Sequence, residues 1–166
     1  MKRTMTALFA IAALAAPSLA DDPVSIGEIG FGPELLEKAE DYGQRELDYL
    51  AREMREDLER ELAGMLGEGG LTVEVTILDA TPNRPTMEQM GAGGLHHSSI
   101  SIGGASLEAR LVAADGTTLE SYAYAWRSHN INDVVGYSRW TDAHRAMSRF
   151  ADDIAENIAE RNATGS

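Results

Sequence analysis

The sequence predicts an α+β domain: an antiparallel sheet of three to four strands covered by two long amphipathic helices, in the order (β)–α–β–β–β–α. Three observations carry this reading. Residues 47–65 place apolar side chains at helical spacing, 71–79 and 105–126 alternate at strand spacing, and 140–158 return to helical spacing. A helix with one apolar stripe needs a face to bury it against, and one sheet serving both helices is the economical arrangement.

Taken in order, Val24 to Phe31 reads as a short first strand interrupted by Gly27 and Gly30. Pro33 follows at a position suited to the first turn of a helix. Residues 34–66 read as one long helix. Leu47, Leu50, Met54, Leu58, Leu62 and Met65 form its stripe, and Glu34/Lys38, Asp41/Arg45, Asp48/Arg52 and Glu56/Arg60 set an acid four residues before a base. Gly43 marks a kink or a true start near Gln44, and Gly67, Gly69 and Gly70 end the element.

Leu71 to Asp79 is the clearest strand, with Val73, Val75 and Ile77 on one face and Thr72, Glu74 and Thr76 on the other; Pro82 stops it. Residues 104–127 read as a hairpin about a two-residue Asp115-Gly116 turn. In that register Ala105 faces Trp126, Leu107 faces Tyr124 and Ala109 faces Tyr122, so each small or medium side chain opposes an aromatic one. The aromatic stripe Tyr122, Tyr124 and Trp126 is expected to pack under a helix. The closing helix runs from Trp140 to about Asn162, with Thr141 as its expected cap and Asp142 in the first turn.

The first twenty residues read as an address. Lys2 and Arg3 precede an apolar run from Ala7 to Ala16, then Pro17 and Ser18-Leu19-Ala20, the small-x-small pattern of signal-peptidase cleavage. The run is too short to span about 30 Å of hydrocarbon as a helix. The expected division is a signal peptide over 1–20 and a single domain over 21–166. Two lysines beside twelve arginines, with abundant alanine, is the usage of a GC-rich bacterial genome, so the expected destination is periplasm or medium. No cysteine follows the apolar run, so no stable membrane anchor is expected.

Composition closes off several chemistries. The absence of cysteine excludes thiol nucleophiles, disulfides and cysteine-ligated zinc or iron–sulfur centres. The formal charge of −13 becomes −15 once residues 1–20, with two bases and no acid, are removed. That argues against nucleic acid as a partner, since neutralising phosphate needs a basic surface. No cofactor is implied.

The anomaly is 82–103, a stretch of about twenty residues without obvious secondary structure. Such loops are uncommon inside compact domains and are often functional. It carries Met87, Met90, Leu95 and Ile100, with Gly91, Gly93, Gly94 and Gly103 to permit tight turns. Its readings are a binding flap for a protein or envelope component, a plain lid over the open end of the sheet, and a bulged continuation of the next strand beginning near Ser98. The candidate binding residues are Arg84, Met87, Met90, Leu95, His96 and His97 on this stretch, with Arg127 and His129 on the neighbouring 127–137 linker. A rival reading is a hydrolase or metal-dependent enzyme using His96, His97, His129 or His144 with nearby acids. No catalytic signature supports it: no Gly-x-Ser-x-Gly elbow and no His-x-x-x-His pair on a helix occurs.

Three segments together resemble uncharacterised exported proteins of Gram-negative bacteria: Asn83-Arg84-Pro85-Thr86, Ser101-Ile102-Gly103-Gly104-Ala105 and Trp140-Thr141-Asp142-Ala143. The order of elements is also similar to small α+β envelope domains such as the TolB amino-terminal domain or the curli-transport lipoprotein. These resemblances imply an envelope setting and carry no catalytic residues over to this chain.

Overall fold

The computed structural model describes residues 22–164. The expected signal peptide and cleavage point lie outside them. The fold is α+β, with four strands in the order β1-β2-β3-β4 along one sheet: β1 Val24–Phe31, β2 Leu71–Thr81, β3 Gly104–Val112 and β4 Thr118–Arg127. The sheet is mixed, which corrects the antiparallel expectation for its first pair. β1 runs parallel to β2, from Val24 opposite Leu71 to Phe31 opposite Ile77. A helical crossover between neighbouring strands carries the chain back to the end where the first strand began, so parallel pairing follows from the intervening helices. The β1 irregularity lies between Ile26 and Ile29, where Arg55 donates to the carbonyls of Ile26 (3.4 Å) and Gly27 (2.6 Å).

The crossover is not one helix. α1 (Pro33–Glu37) and α2 (Ala39–Tyr42) are short, and α3 (Gln44–Glu61) begins after Gly43. Gly43 has φ +90°, a conformation that no interior helical residue adopts, so the expected 34–66 helix breaks there. The stripe on α3 buries Leu47, Leu50, Met54 and Leu58 completely. α5 (Thr141–Thr164) buries Met147, Phe150, Ile154 and Ile158 beside it. Both lie over the face formed by Val73, Val75, Ile77, Leu107, Ala109 and Leu111, and this single layer of contact is the core. Each fully buried Leu or Ile contributes roughly 1.5–3 kcal/mol relative to exposure. The other sheet face carries half-buried Thr72, Glu74 and Thr76.

β3 and β4 pair in the expected register: Ala105 with Trp126, Leu107 with Tyr124, Ala109 with Tyr122. The turn differs. The Gly116 amide donates to the Ala113 carbonyl (2.9 Å), and the Ala113 amide to the Thr117 carbonyl (2.8 Å), leaving three residues, Ala114–Gly116, in the loop. Gly116 is left-handed, φ +85°, as a type I turn closed by a bulge requires. The extra loop residue shifts the first pair to Val112 opposite Thr118. A further irregularity at Leu119 restores the register by Leu111 opposite Glu120. The aromatic stripe packs under α5 as expected, with Tyr124 stacked on Phe150 at 6.1 Å and Arg149 over Trp126 at 4.9 Å.

Candidate binding surface

β2 ends, β3 begins and β4 ends at one edge of the domain, so the 82–103 and 128–140 segments run side by side there. The Ser128 amide donates to the Gly103 carbonyl (3.2 Å), the Asn83 amide to the Arg139 carbonyl (2.6 Å), and Arg84 Nε to the Tyr137 carbonyl (3.2 Å). The 82–103 segment is not a structureless loop. It contains α4 (Met87–Gly91), opened by a capping box in which Thr86 Oγ1 accepts from the Gln89 amide (3.2 Å) and Gln89 Oε1 from the Thr86 amide (3.0 Å).

Asn83, fully buried, ties the segments together. Its Nδ2 donates to Asp142 Oδ2 (2.6 Å) and to the Ser101 carbonyl (3.2 Å), and its Oδ1 accepts from the Asp142 amide (2.9 Å). Asp142 is also fully buried and accepts from the Gly103 amide (3.3 Å) and from Arg145 Nη1 (3.4 Å). Asn83 thus caps α5 from 59 residues away in the chain. Thr141, the expected cap, instead turns its hydroxyl back to accept from the Ser138 amide (2.9 Å). Gly103 is required by this packing, because a Cβ there would fall 2.7 Å from Asn83 Nδ2. The segments 83–86, 101–105 and 140–143 therefore meet in one buried knot.

The predicted site residues divide. Arg84 donates to the carbonyls of Tyr137 and Ser98 (3.3 Å), stapling both segments, and shares a groove of about 240 Å³ with Leu95, Ile100, Gln89 and Tyr42. Met87 lies on the rim of a second groove and Met90 is half-buried. His96 and His97 are exposed, in a turn closed by the Ser99 amide on the His96 carbonyl (2.8 Å). His129 is exposed just beyond β4. Arg127 reaches buried Asp79 (3.2 Å), which Lys38 Nζ also holds at 2.5 Å. Tyr42 has its hydroxyl pushed up to about 12, first by burial and then by the charges of Asp79 and Asp41.

His144 sits apart, between α3 and α5. Its ring lies 5.4 Å from Tyr49, and Nε2 is 3.8 Å from Glu53 Oε2 with no hydrogen-bond partner. Burial lowers its proton affinity, outweighing Glu53 and Asp57, which raise it. Among the described residues, no group of three or more His, Cys, Asp or Glu side chains is arranged to hold a metal. Likewise, no helix among them is long and apolar enough to cross a membrane.

Reasoning from sequence missed Asn83 and Asp142 as partners, and it missed Glu46. Glu46 accepts from Trp140 Nε1 (2.7 Å) and from Arg139 Nη1, binding the start of α3 to the start of α5. The Thr86-x-x-Gln89 spacing was a readable signal for α4. Nothing local marks the Asn83–Asp142 or Glu46–Trp140 pairs.

No family model matches the chain. No curated protein matches it either. Among solved structures it is similar to a "putative lipoprotein" of Caulobacter crescentus CB15, at 14% identity and TM-score 0.45, over 86% of this chain and 92% of that one. It is also similar to a minor lipoprotein of Acinetobacter baumannii, at 12% identity and TM-score 0.35, over 87% and 94%.

Proposed function

We propose that the chain is an exported, non-enzymatic binding module that docks a protein or envelope partner on the 82–103 and 128–139 segments. The carrying observation is where its exposed apolar surface lies. Of nine large apolar side chains exposed among the described residues, six fall on these two segments: Met87, Leu95, Ile100, Ile102, Ile131 and Val135. Met87 is 64% exposed and Val135 71%, far beyond what a lid closing its own sheet presents. Several polar side chains at the base of this surface are committed to structure. Arg84 staples backbone carbonyls, Asp142 serves Asn83, and Arg127 serves Asp79. A surface held rigid from beneath, with apolar groups outward, suits docking because little conformational entropy remains to be lost.

The test is photocrosslinking in intact cells from residue 87, with residue 152 on the outer side of α5 as control. We expect a discrete adduct from 87 alone, abolished by Leu95→Asp in a variant that melts like the parent. An identical adduct from 152, or one indifferent to Leu95→Asp, would return the segment to the role of a lid. Export is tested separately by the terminal mass of protein taken from periplasm or medium: Asp21 is expected first, and a retained Met1 refutes it.

A further inference from the structure

A second groove, sharing no lining residue with the one beneath Leu95, opens between α3, α4 and residues 138–140, with a volume of about 480 Å³. That is within the roughly 300–1,000 Å³ of small-molecule sites. We propose that it binds a small zwitterion of the amino-acid or short-peptide class, with Arg45 taking the carboxylate and Glu88 the ammonium. The proposal does not rest on the docking of a partner protein.

It follows from which charges in the groove are already spent. Arg139 is held by Glu46 and by the Pro85 carbonyl (3.2 Å), and Glu46 also holds the Trp140 indole, so this end is a fixed floor. Arg52 lies over the Tyr49 ring at 5.1 Å, with Glu53 and Glu56 at 3.8 and 3.7 Å. Two charges are left. Among the described residues the side chains of Arg45 and Glu88 make no hydrogen bond and no ion pair, although both line the groove. Arg55, Arg84 and Arg149 also lack a carboxylate, but each is held by backbone carbonyls or an aromatic ring, whereas no such contact holds the Arg45 guanidinium.

Gly43 makes the arrangement possible. The Glu88 carboxyl packs against it, and a Cβ on Gly43 would fall 2.4 Å from Glu88 Cδ. The groove therefore offers one free guanidinium from α3 and one free carboxylate from α4. A guanidinium fork matches a carboxylate or a phosphate. Glu46 and Glu88 leave the lining, with its three arginines, a surplus of a single positive charge, which disfavours a dianion. A zwitterion satisfies both free groups at once. The unbranched, exposed Met87 supplies an adaptable apolar wall for its body, beside the Tyr49 ring that Arg52 covers.

The test is an amide NMR titration of the full chain with four probes: L-alanyl-L-alanine, its N-acetyl derivative, its C-terminal amide and inorganic phosphate. The dipeptide is expected to give saturable shifts at residues 45, 49, 52, 88 and 139, and to bind at least tenfold tighter than either blocked form or phosphate. Arg45→Gln and Glu88→Gln are exposed changes that should melt like the parent and each weaken the dipeptide at least tenfold. Glu88→Gln should leave the N-acetyl form unaffected. Equal binding of blocked and free dipeptides, preference for phosphate, absence of saturable shifts, or full affinity in Arg45→Gln each overturn the proposal. A silent groove with an intact crosslink from residue 87 removes this site and leaves the docking reading standing.

Discussion

Asn83→Ala tests whether the buried knot holds the candidate surface in place. The change deletes two donated bonds and one accepted bond, and leaves the Asp142 carboxylate and amide buried with fewer partners. A hydrogen bond to a charged group is worth about 1.5–3 kcal/mol, and an orphaned buried donor costs about 1–3 kcal/mol. The expected loss is about 3–5 kcal/mol, against a total of about 5–15 kcal/mol for a domain of this kind. At about 2–4 °C per kcal/mol this corresponds to a fall in Tm of roughly 10 °C. Urea unfolding followed by tryptophan fluorescence measures it, since buried Trp140 lies two residues before Asp142. Thr141→Ala is the contrast: its hydroxyl only touches exposed Ser138, so the cost should stay below about 0.5 kcal/mol. Equal losses in the two variants, or a loss below about 1 kcal/mol for Asn83→Ala, would refute the assignment of capping to Asn83.

Three further outcomes follow from packing and charge. Phe150→Ala, at a fully packed position, should cost about 3–5 kcal/mol, whereas Trp126→Ala, only half-buried on the edge strand, should cost markedly less in the same denaturant series. Gly104→Ala should disrupt the start of β3, because its Cβ would fall 2.2 Å from the Trp126 carbonyl oxygen; loss of amide protection at residues 104–106 and 125–127 checks it. His144 has a lowered folded pKa, so the unfolded chain binds its proton more readily. Its contribution is full above the unfolded value near 6.5 and is lost as pH falls towards the folded one. Between pH 7.5 and 5.5 the parent should therefore lose more stability than His144→Gln, and parallel pH profiles would count against burial as the cause.

What could be read from the sequence was whatever repeats locally. The register of β3 on β4 was legible because size alternates along both strands, and a slip of one residue would set Ser106 opposite Trp126. The turn itself was misread. Asp-Gly suits a two-residue turn and equally the end of a three-residue one, and the irregularity at Leu119 hides the difference a few residues on. Gly43 announced a helix break without saying which side of it was helical. The parallel pairing of β1 was not legible, since two interior glycines and an irregularity blur its alternation. The knot was illegible for a different reason. Asn83 and Asp142 are 59 residues apart, and a buried amide–carboxylate pair leaves no periodic trace.

Topology decides why the two unusual segments share one end of the molecule. β1 and β2 are parallel, and β2, β3 and β4 are successively antiparallel. The ends of β1, β2 and β4 and the start of β3 therefore lie at the same edge of the sheet. Among the described residues the opposite edge receives the tight 113–117 turn, the return from α3 into β2, the approach to β1 and the end of α5. A short turn has little surface to offer, while the long connections from β2 to β3 and from β4 to α5 must be accommodated somewhere. Once one edge takes both, each can brace the other, as Asn83, Arg84 and Arg139 do. Bracing is what allows Met87, Leu95 and Val135 to remain outward without the segments collapsing onto them. If partner docking is the selected property, loosening the brace should weaken docking even where no contact residue is touched. Asn83→Ala should then reduce the crosslink from residue 87 at temperatures well below its Tm, and an undiminished crosslink in that folded variant would show that the surface does not depend on its support.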